Sequence, residues 1–460
     1  MSTRGAPRSA AAAFPGGTRL VLDGSVRRTA GGRVLLGGSP LRLLRLKTGG
    51  AHLLDRWIRG EPVGTGGSRQ GLARQLLTAG LVHPEPPAGV FGPADVTLVT
   101  PVRNNATGLA RLLAATGELT ERIVVDDGSD VPVRRAVLRH ERPAGPAAAR
   151  DAGWQRASTD LVAFLDADVT PEPGWLQEVL PQFADPTVAA VAPRVRSVPA
   201  DTAVARYEAE RSSLDLGPCP AIVRPMSRVS YVPSAALVVR RTALREVGGF
   251  DQRLRFGEDV DLVWRCIEAG HTVRYAPNSV VWHQPRPTLR SWLRQRFDYG
   301  TSAAPLSTRH PGLLSPAKMS PHSAAAWALL AAGRHRSALA VAAVSAAMLA
   351  RNLRGRGLPV AGSLRLAGLG HAGAGRLLAE ATRRAWWPLA LAAAAVSRRA
   401  RRVVLAALLP CLVEAAGRGH RWLVLRVLDD LAYGAGVWAG CARERTAAPL
   451  RPEFTGGGLC

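Results

Sequence analysis

Beyond about residue 94 the chain alternates two apolar patterns. Segments rich in Val, Leu, Ile and Ala at 95–105 (DVTLVTPVRNN), 123–125, 161–165 and 188–195 read as buried strands. Apolar residues at helical spacing between them, around Leu109 and Leu113, over 146–156 and from Trp175 to Phe183, predict helices. A series of this kind predicts an α/β fold with a mostly parallel, doubly wound sheet, whose ligands lie beyond the carboxyl ends of the strands.

The flanking segments differ. Short apolar runs at 20–22 and 34–36 predict two strands around a turn, and Leu53, Leu54, Trp57 and Ile58, then Leu72, Leu76 and Leu77, mark two amphipathic helices. Together they predict a small winged-helix-like unit, which either binds peptide or DNA or only packs. Past about 320 the chain is Ala- and Leu-rich helix, broken by arginine clusters such as Arg398, Arg399, Arg401 and Arg402. Pro- and Gly-rich joins at 84–93 and 305–321 divide the chain into sections at 1–90, 94–310 and 320–460.

Composition sharpens this division. An apolar content of 47% with 21% charged residues excludes bulk disorder. The formal charge of +25 is almost entirely arginine, since Lys47 and Lys318 are the only lysines, and it sits in the flanks: +9 over 1–93, +3 over 94–321 and +13 over 322–460. With Ala abundant as well, this suggests a GC-rich coding bias, and no basic run follows a recognition helix, so nucleic acid is not an expected partner. Cys219, Cys266, Cys411, Cys441 and Cys460 lack metal-ligand spacing, which fits a reducing cytoplasm. Arg4 and Arg8 precede an apolar run too short for a secretion signal. Uncharged stretches at 319–333, 337–350 and 385–397 fall short of the roughly 18 to 20 residues that span a bilayer, leaving peripheral contact at the inner membrane face as the expected membrane association.

The acids of the middle section cluster where strands end. Asp166 and Asp168 leave the 161–165 strand two residues apart, so both can reach one hard cation such as Mg²⁺ or Mn²⁺, or else simply begin a turn. Asp126 and Asp127 end the preceding strand, placed to accept hydrogen bonds from a base or ribose, or to form a turn with Gly128. Between them, the small residues of 145–153 allow close backbone approach, and Arg150 can pair with a phosphate or with the acids. Glu258, Asp259 and Asp261 open a helix with an expected buried stripe of Val260, Val263, Trp264 and Ile267. The macrodipole favours acids there, but three in four positions exceed what a cap needs, and one can serve as general base. His283 follows an apolar strand as a structural residue or a further metal ligand, and Arg290, Arg294 and Arg296 follow it as candidates to neutralise a departing diphosphate. Tyr207, Arg211 and Tyr231 are candidates to hold a sugar or phenolic acceptor, although Val204, Tyr207, Arg211 and Leu214 also fit an ordinary helix face.

Taken in order, VVDDGSD, GPAAARDAG, FLDADV, GGFDQRLRFGEDVDLVWR and WLRQRFDYG resemble the family 2 glycosyltransferases of GT-A (nucleotide-diphospho-sugar transferase) fold over about 94–300. The resemblance implies a metal-assisted, inverting displacement at the sugar C1. Asp127, with Asp126, would contact the nucleotide, Asp166 and Asp168 would be the DxD pair, Asp259 of the Glu258–Asp259 pair the base, and His283 a metal contact. The family often has Asn where Asp151 stands. LLGGSPLRLLRL, RYEAERSSLDLGP, RVSYVPSAALVVRR and DDLAYGAGVWAGC extend the likeness to the glycosyltransferase family of the mycofactocin system. That resemblance implies UDP-glucose as donor, a peptide-derived redox cofactor as acceptor, β-1,4-linked glucose as product, and a peptide-recognition-type N-terminal domain. Two other readings stand beside it: sugar transfer to a lipid or polysaccharide at the membrane face, and a non-catalytic winged-helix binding protein.

Overall fold

The computed structural model describes residues 13–455; Arg4, Arg8 and Cys460 lie outside the described residues. The chain forms two compact units. One comprises Met1–Arg27, Leu36–Arg42 and Leu46–Pro285, the other Arg28–Leu35, Leu43–Arg45 and Arg286–Cys460. Among the described residues, Cys219, Cys266, Cys411 and Cys441 are free thiols.

The N-terminal elements are β1 (Arg19–Leu22), β2 (Arg27–Thr29), β3 (Val34–Gly37), β4 (Arg42–Arg45), α1 (Thr48–Ile58), α2 (Gly67–Thr78) and β5 (Val82–Glu85). The strands expected at 20–22 and 34–36 both form but do not pair with each other. β1 runs antiparallel to β5, whereas β3 lies between β2 and β4. The expected boundary near residue 90 is not a break in packing. Buried Arg74 of α2 donates to both carboxylate oxygens of fully buried Asp185 at 2.6 and 2.9 Å, and Arg274 donates to the same group at 2.6 Å. Three buried charges in mutual contact tie α2 to the section expected to begin at 94.

The rest of the first unit is the expected series: β6 (Val96–Val102), α3 (Ala106–Ala115), β7 (Glu121–Asp127), β8 (Leu138–His140), α4 (Pro146–Trp154), β9 (Leu161–Leu165), β10 (Val169–Pro171) and α5 (Trp175–Val179). It continues through β11 (Val188–Ser197), α6 (Ala203–Arg211), β12 (Ala221–Ile222), β13 (Ala236–Arg240), α7 (Arg241–Val247), α8 (Glu258–Glu268) and β14 (Thr272–His283). Strand order is β10-β14-β11-β13-β9-β6-β7-β8, with β12 on β14. β6, β7, β8 and β9 are parallel, but β13 enters antiparallel between β9 and β11, so the sheet is mixed. Leu98, Val124, Leu161 and Leu165 from its strands pack with Leu112, Trp175 and Phe183 in one core, as fully apolar strands require.

The second unit is helical: α9 (Leu289–Thr301), α10 (Ala303–Arg309), α11 (Pro321–Ala331), α12 (His335–Arg354), α13 (Val360–Arg384), α14 (Trp387–Val396), α15 (Arg398–Ala415) and α16 (His420–Glu444), with a two-strand pair, β15 (Lys318–Met319) and β16 (Glu453–Phe454). α9 and α16 meet backbone to backbone. A Cβ on Gly436 would stand 2.0 Å from the Phe297 carbonyl, and one on Gly300 2.0 Å from that of Tyr433. The acids of α16 serve buried arginines: Asp430 takes Arg383 at 2.9 Å and Arg426 at 2.6 Å, and Asp429 takes Arg296 at 3.2 Å.

Candidate active site

Because β6, β7 and β9 run parallel in register, their carboxyl ends share one edge of the sheet, and Asn104, Asp126 and Asp166 emerge there. The carboxylates at this edge do different work, beginning with the adjacent pair Asp126 and Asp127.

Asp126 is wholly buried and turned into the loop after β7. It accepts hydrogen bonds from the backbone N–H of Ser129 at 2.9 Å and of Val133 at 3.1 Å, and from the Arg139 guanidinium. Burial pushes its carboxyl up, but the Ser129, Val133 and Arg139 bonds outweigh it and hold it below the usual range. In this structure Asp126 therefore presents nothing to a nucleotide; it shapes the turn. Asp127 accepts from Ala144 N–H at 2.8 Å and Gly145 N–H at 2.9 Å, with His140 Nδ1 at 2.8 Å. It fixes the start of α4, where Gly145 takes φ +96°.

α4 carries Arg150 into the centre of the site. Nearly fully buried, it donates from Nη2 to Asp166 at 2.7 Å and from Nη1 to Glu258 at 2.8 Å, so one planar fork joins the end of β9 to the start of α8. Burial lowers its pKa, but the charges of Asp166 and Glu258 raise it further, and the guanidinium is permanently charged. The next residue, Asp151, accepts from Trp154 Nε1 at 2.7 Å, Phe250 N–H at 2.9 Å and Gln252 Nε2 at 3.3 Å. It locks the 248–252 loop to α4. Gly249 sits so close that a Cβ there would lie 2.4 Å from the Asp151 carboxylate.

Gly257 at φ +79° turns the chain into α8. The buried face of α8 is Leu262, Val263, Trp264 and Cys266; the expected stripe residues Val260 and Ile267 are only half-buried. The face is rotated because Glu258 and Asp261 also point inward, Asp261 to Arg265 at 2.7 Å. Asp259 is half-buried, its Oδ2 accepting from Ser234 N–H at 3.2 Å and its Oδ1 from Val260 N–H at 2.8 Å. Desolvation raises its pKa; Ser234 and Arg150 oppose the rise and Asp166 adds to it. Glu258 is raised too, first by burial and then by the charge of Asp259, against Arg150. Both carboxylates are thus stronger bases than in water.

β14 returns antiparallel to β10, placing His283 opposite Val169 and its Nε2 3.5 Å from Asp168 Oδ2. Asp168 and His283 are therefore together, while Asp166 turns to Arg150 because that buried cation needs its counter-charge. Among the described residues, no three His, Cys, Asp or Glu side chains form a ready metal cluster. The expected trio of Asp166, Asp168 and His283 is present only as a pair plus a neighbour engaged elsewhere. Carboxylate oxygens with one imidazole suit Mg²⁺ or Mn²⁺ in donor type.

Of the acceptor candidates, Tyr207 is fully buried on α6 and offers no face to a sugar; it follows the helix-face pattern with Val204. Arg211 ends α6 half-buried. Tyr231 is half-buried on a segment held to α8 by Trp264 Nε1 donating to the Ser230 carbonyl at 2.8 Å and by Ser234 on Asp259. Arg294 and Arg296 belong to α9 of the second unit, where exposed Arg294 meets Asp298 at 3.2 Å and buried Arg296 meets Asp429. Arg290 is exposed there too.

Two contributors escaped the sequence reading. Asn105 caps α3, accepting from Gly108 N–H at 3.0 Å, and donates to the Ala167 carbonyl at 3.3 Å inside the Asp166–Asp168 turn. An Asn between a strand and a helix is the available signal. Ser234 acts through its backbone, which no side-chain pattern reveals.

The family model "Glycosyl transferase family 2" matches residues 97–247. The chain is 45% identical to the "Pre-mycofactocin glycosyltransferase" of Mycobacterium tuberculosis, over 96% of this chain and 98% of that protein. It is 25% identical to "Glycosyltransferase AglE" of Haloferax volcanii over 45% of this chain and 71% of that one. Among solved structures, a mannosyltransferase from Pyrobaculum calidifontis in complex with GDP-Man and Mn2+ is similar at 17% identity and TM-score 0.41, covering 76% of this chain and 90% of that chain.

Proposed function

Because this chain belongs to the pre-mycofactocin glycosyltransferase family, itself of the family 2 glycosyltransferases, we propose that it transfers glucose from UDP-glucose to the peptide-derived redox cofactor, with inversion at C1 and β-1,4 extension. The observation that carries the reading is the Arg150 fork, which ties the donor-side acid Asp166 to the helix start bearing Asp259.

Asp259 takes the proton of the acceptor hydroxyl. As that oxygen bonds to C1, the bond from C1 to the diphosphate oxygen breaks, and its electron pair leaves with the nucleotide. The raised pKa of Asp259 suits this role, and its Ser234 hydrogen bond aims the carboxylate. Arg150 holds Asp166 and Glu258 through its two nitrogens and keeps a positive charge beside Asp259. Asp127 orders the start of α4 beside the nucleotide side, and Tyr231 and Arg211 serve the acceptor. Asp168 and His283, with Asp166 beside them, would hold a Mg²⁺ or Mn²⁺ ion, which would neutralise the charge gained by the diphosphate.

The test is sugar transfer by the purified protein from a panel of UDP- and GDP-sugars to the peptide-derived acceptor, read by mass spectrometry. Incorporation of hexose from UDP-glucose, with an anomeric configuration opposite to the donor's, is expected. Transfer only from another donor, or only to a lipid, overturns that part of the reading.

A further inference from the structure

Three helices of the second unit, α13, α14 and α15, turn their large aliphatic side chains outward. In α15 the buried positions are Ala407 and Cys411, while Leu405, Leu409 and Leu412 are exposed by 64, 57 and 48%. α13 buries Ser363, Ala367, Ala374 and Ala381, with Arg383 paired to Asp430 at its end, and turns Leu364, Leu369 and Leu377 outward. α14 carries the pattern furthest: none of its ten residues is buried, none is charged, and Leu389, Leu391 and Val396 stand in the open.

Water sorts side chains the other way, rewarding burial of Leu and Val by about 1.5–3 kcal/mol each. Small residues between helices with large aliphatic ones outward is the arrangement of helices that face hydrocarbon. No helix among the described residues is long and apolar enough to cross a membrane, so the pattern suits an element lying in the interface. Charge selects the surface. Exposed Arg398, Arg399, Arg401 and Arg402 open α15 directly after α14. Between 322 and 424 the only acids are Glu380 and Glu414, and both face arginines, Glu380 at 3.7 Å from Arg384 and Glu414 at 3.0 Å from Arg426. A second copy of this chain would bring the same positive face against it, whereas an anionic bilayer supplies both the apolar medium and the counter-charge.

We propose that α14 and the arginine-rich first turn of α15 dock this protein on an anionic membrane surface, with α14 at the boundary of headgroups and acyl chains. The inference does not depend on the transferase reading, because vesicle binding needs neither donor nor acceptor.

The test is sedimentation of the full chain with phosphatidylcholine vesicles, with and without phosphatidylglycerol, at low and high salt. Binding to the anionic vesicles that weakens with salt is expected. Replacing Arg398, Arg399, Arg401 and Arg402 by Gln should weaken it about a hundredfold or more, as loss of roughly fivefold per headgroup-facing arginine implies. Leu389→Ser with Leu391→Ser should abolish the salt-resistant part. All six side chains are exposed or solvent-facing, so helicity and sugar transfer to a soluble acceptor should be unchanged. Failure to bind anionic vesicles at low salt, or equal binding by the arginine variant, overturns the proposal. So does a lipid-free dimer that the leucine changes dissolve, which would assign the face to self-association.

Discussion

Arg74 grips Asp185 through two nitrogens across 111 residues of sequence, and Arg274 closes on the same carboxylate from β14. Burial pushes Asp185 up, but its arginines prevail and hold its carboxyl below the ordinary 3.8. A depressed acid contributes stability above its unfolded value, and that contribution is lost as pH falls through the folded one. Asp185→Asn leaves two buried guanidinium groups without a counter-charge and is expected to cost about 3–5 kcal/mol, read by urea unfolding at neutral pH. The difference between variant and wild type should narrow on acidification below about 4.

Asp259→Asn should lower kcat about 10²- to 10⁴-fold with little change in donor KM, measured by UDP release. An equally active variant would remove Asp259 as the base.

The acid limb of kcat should lie above the usual aspartate range, because Asp259 is raised and must be deprotonated to act. Activity then rises with pH through that value. Glu258→Gln removes a neighbouring negative charge and frees Arg150 to act on Asp259, so the limb should move to lower pH in a kcat profile. A limb that stays in place would separate it from Asp259.

Arg150→Lys keeps the charge and loses the fork. With one ammonium unable to hold Asp166 and Glu258 together, kcat should fall about tenfold or more while the fold survives, as checked by circular dichroism and turnover.

Gly436→Ala places a methyl 2.0 Å from the Phe297 carbonyl and must part α9 from α16. A loss of about 1–3 kcal/mol is expected in thermal unfolding, with faster proteolysis of the helical unit.

Much of this site is legible in the sequence because strand-end acids are both conspicuous and topologically confined. Parallel strands deliver their carboxyl ends to one edge, so Asp127, Asp166 and Asp168 have to share it. What hydrogen bonds do once there is not legible. Asp126 and Asp127 look alike in sequence, yet one is consumed by a loop and the other by a helix start. The reversal of β13 leaves no trace, because a buried antiparallel strand is as apolar as a parallel one. Tyr207 fits two patterns, and only its burial separates them. The N-terminal strands mislead for a related reason: short apolar runs announce strands but not their partners, and β1 finds β5 some sixty residues away.

The acids of α16 set a timetable for synthesis. Arg296 and Arg383 are buried against Asp429 and Asp430, which leave the ribosome more than forty residues after the later of the two arginines. Until then the nascent helices carry cations they cannot bury, and the helical unit cannot close. The strands of the first unit are complete by His283, so a chain halted after α13 but short of Asp429 would carry a finished sheet trailing an unsealed tail.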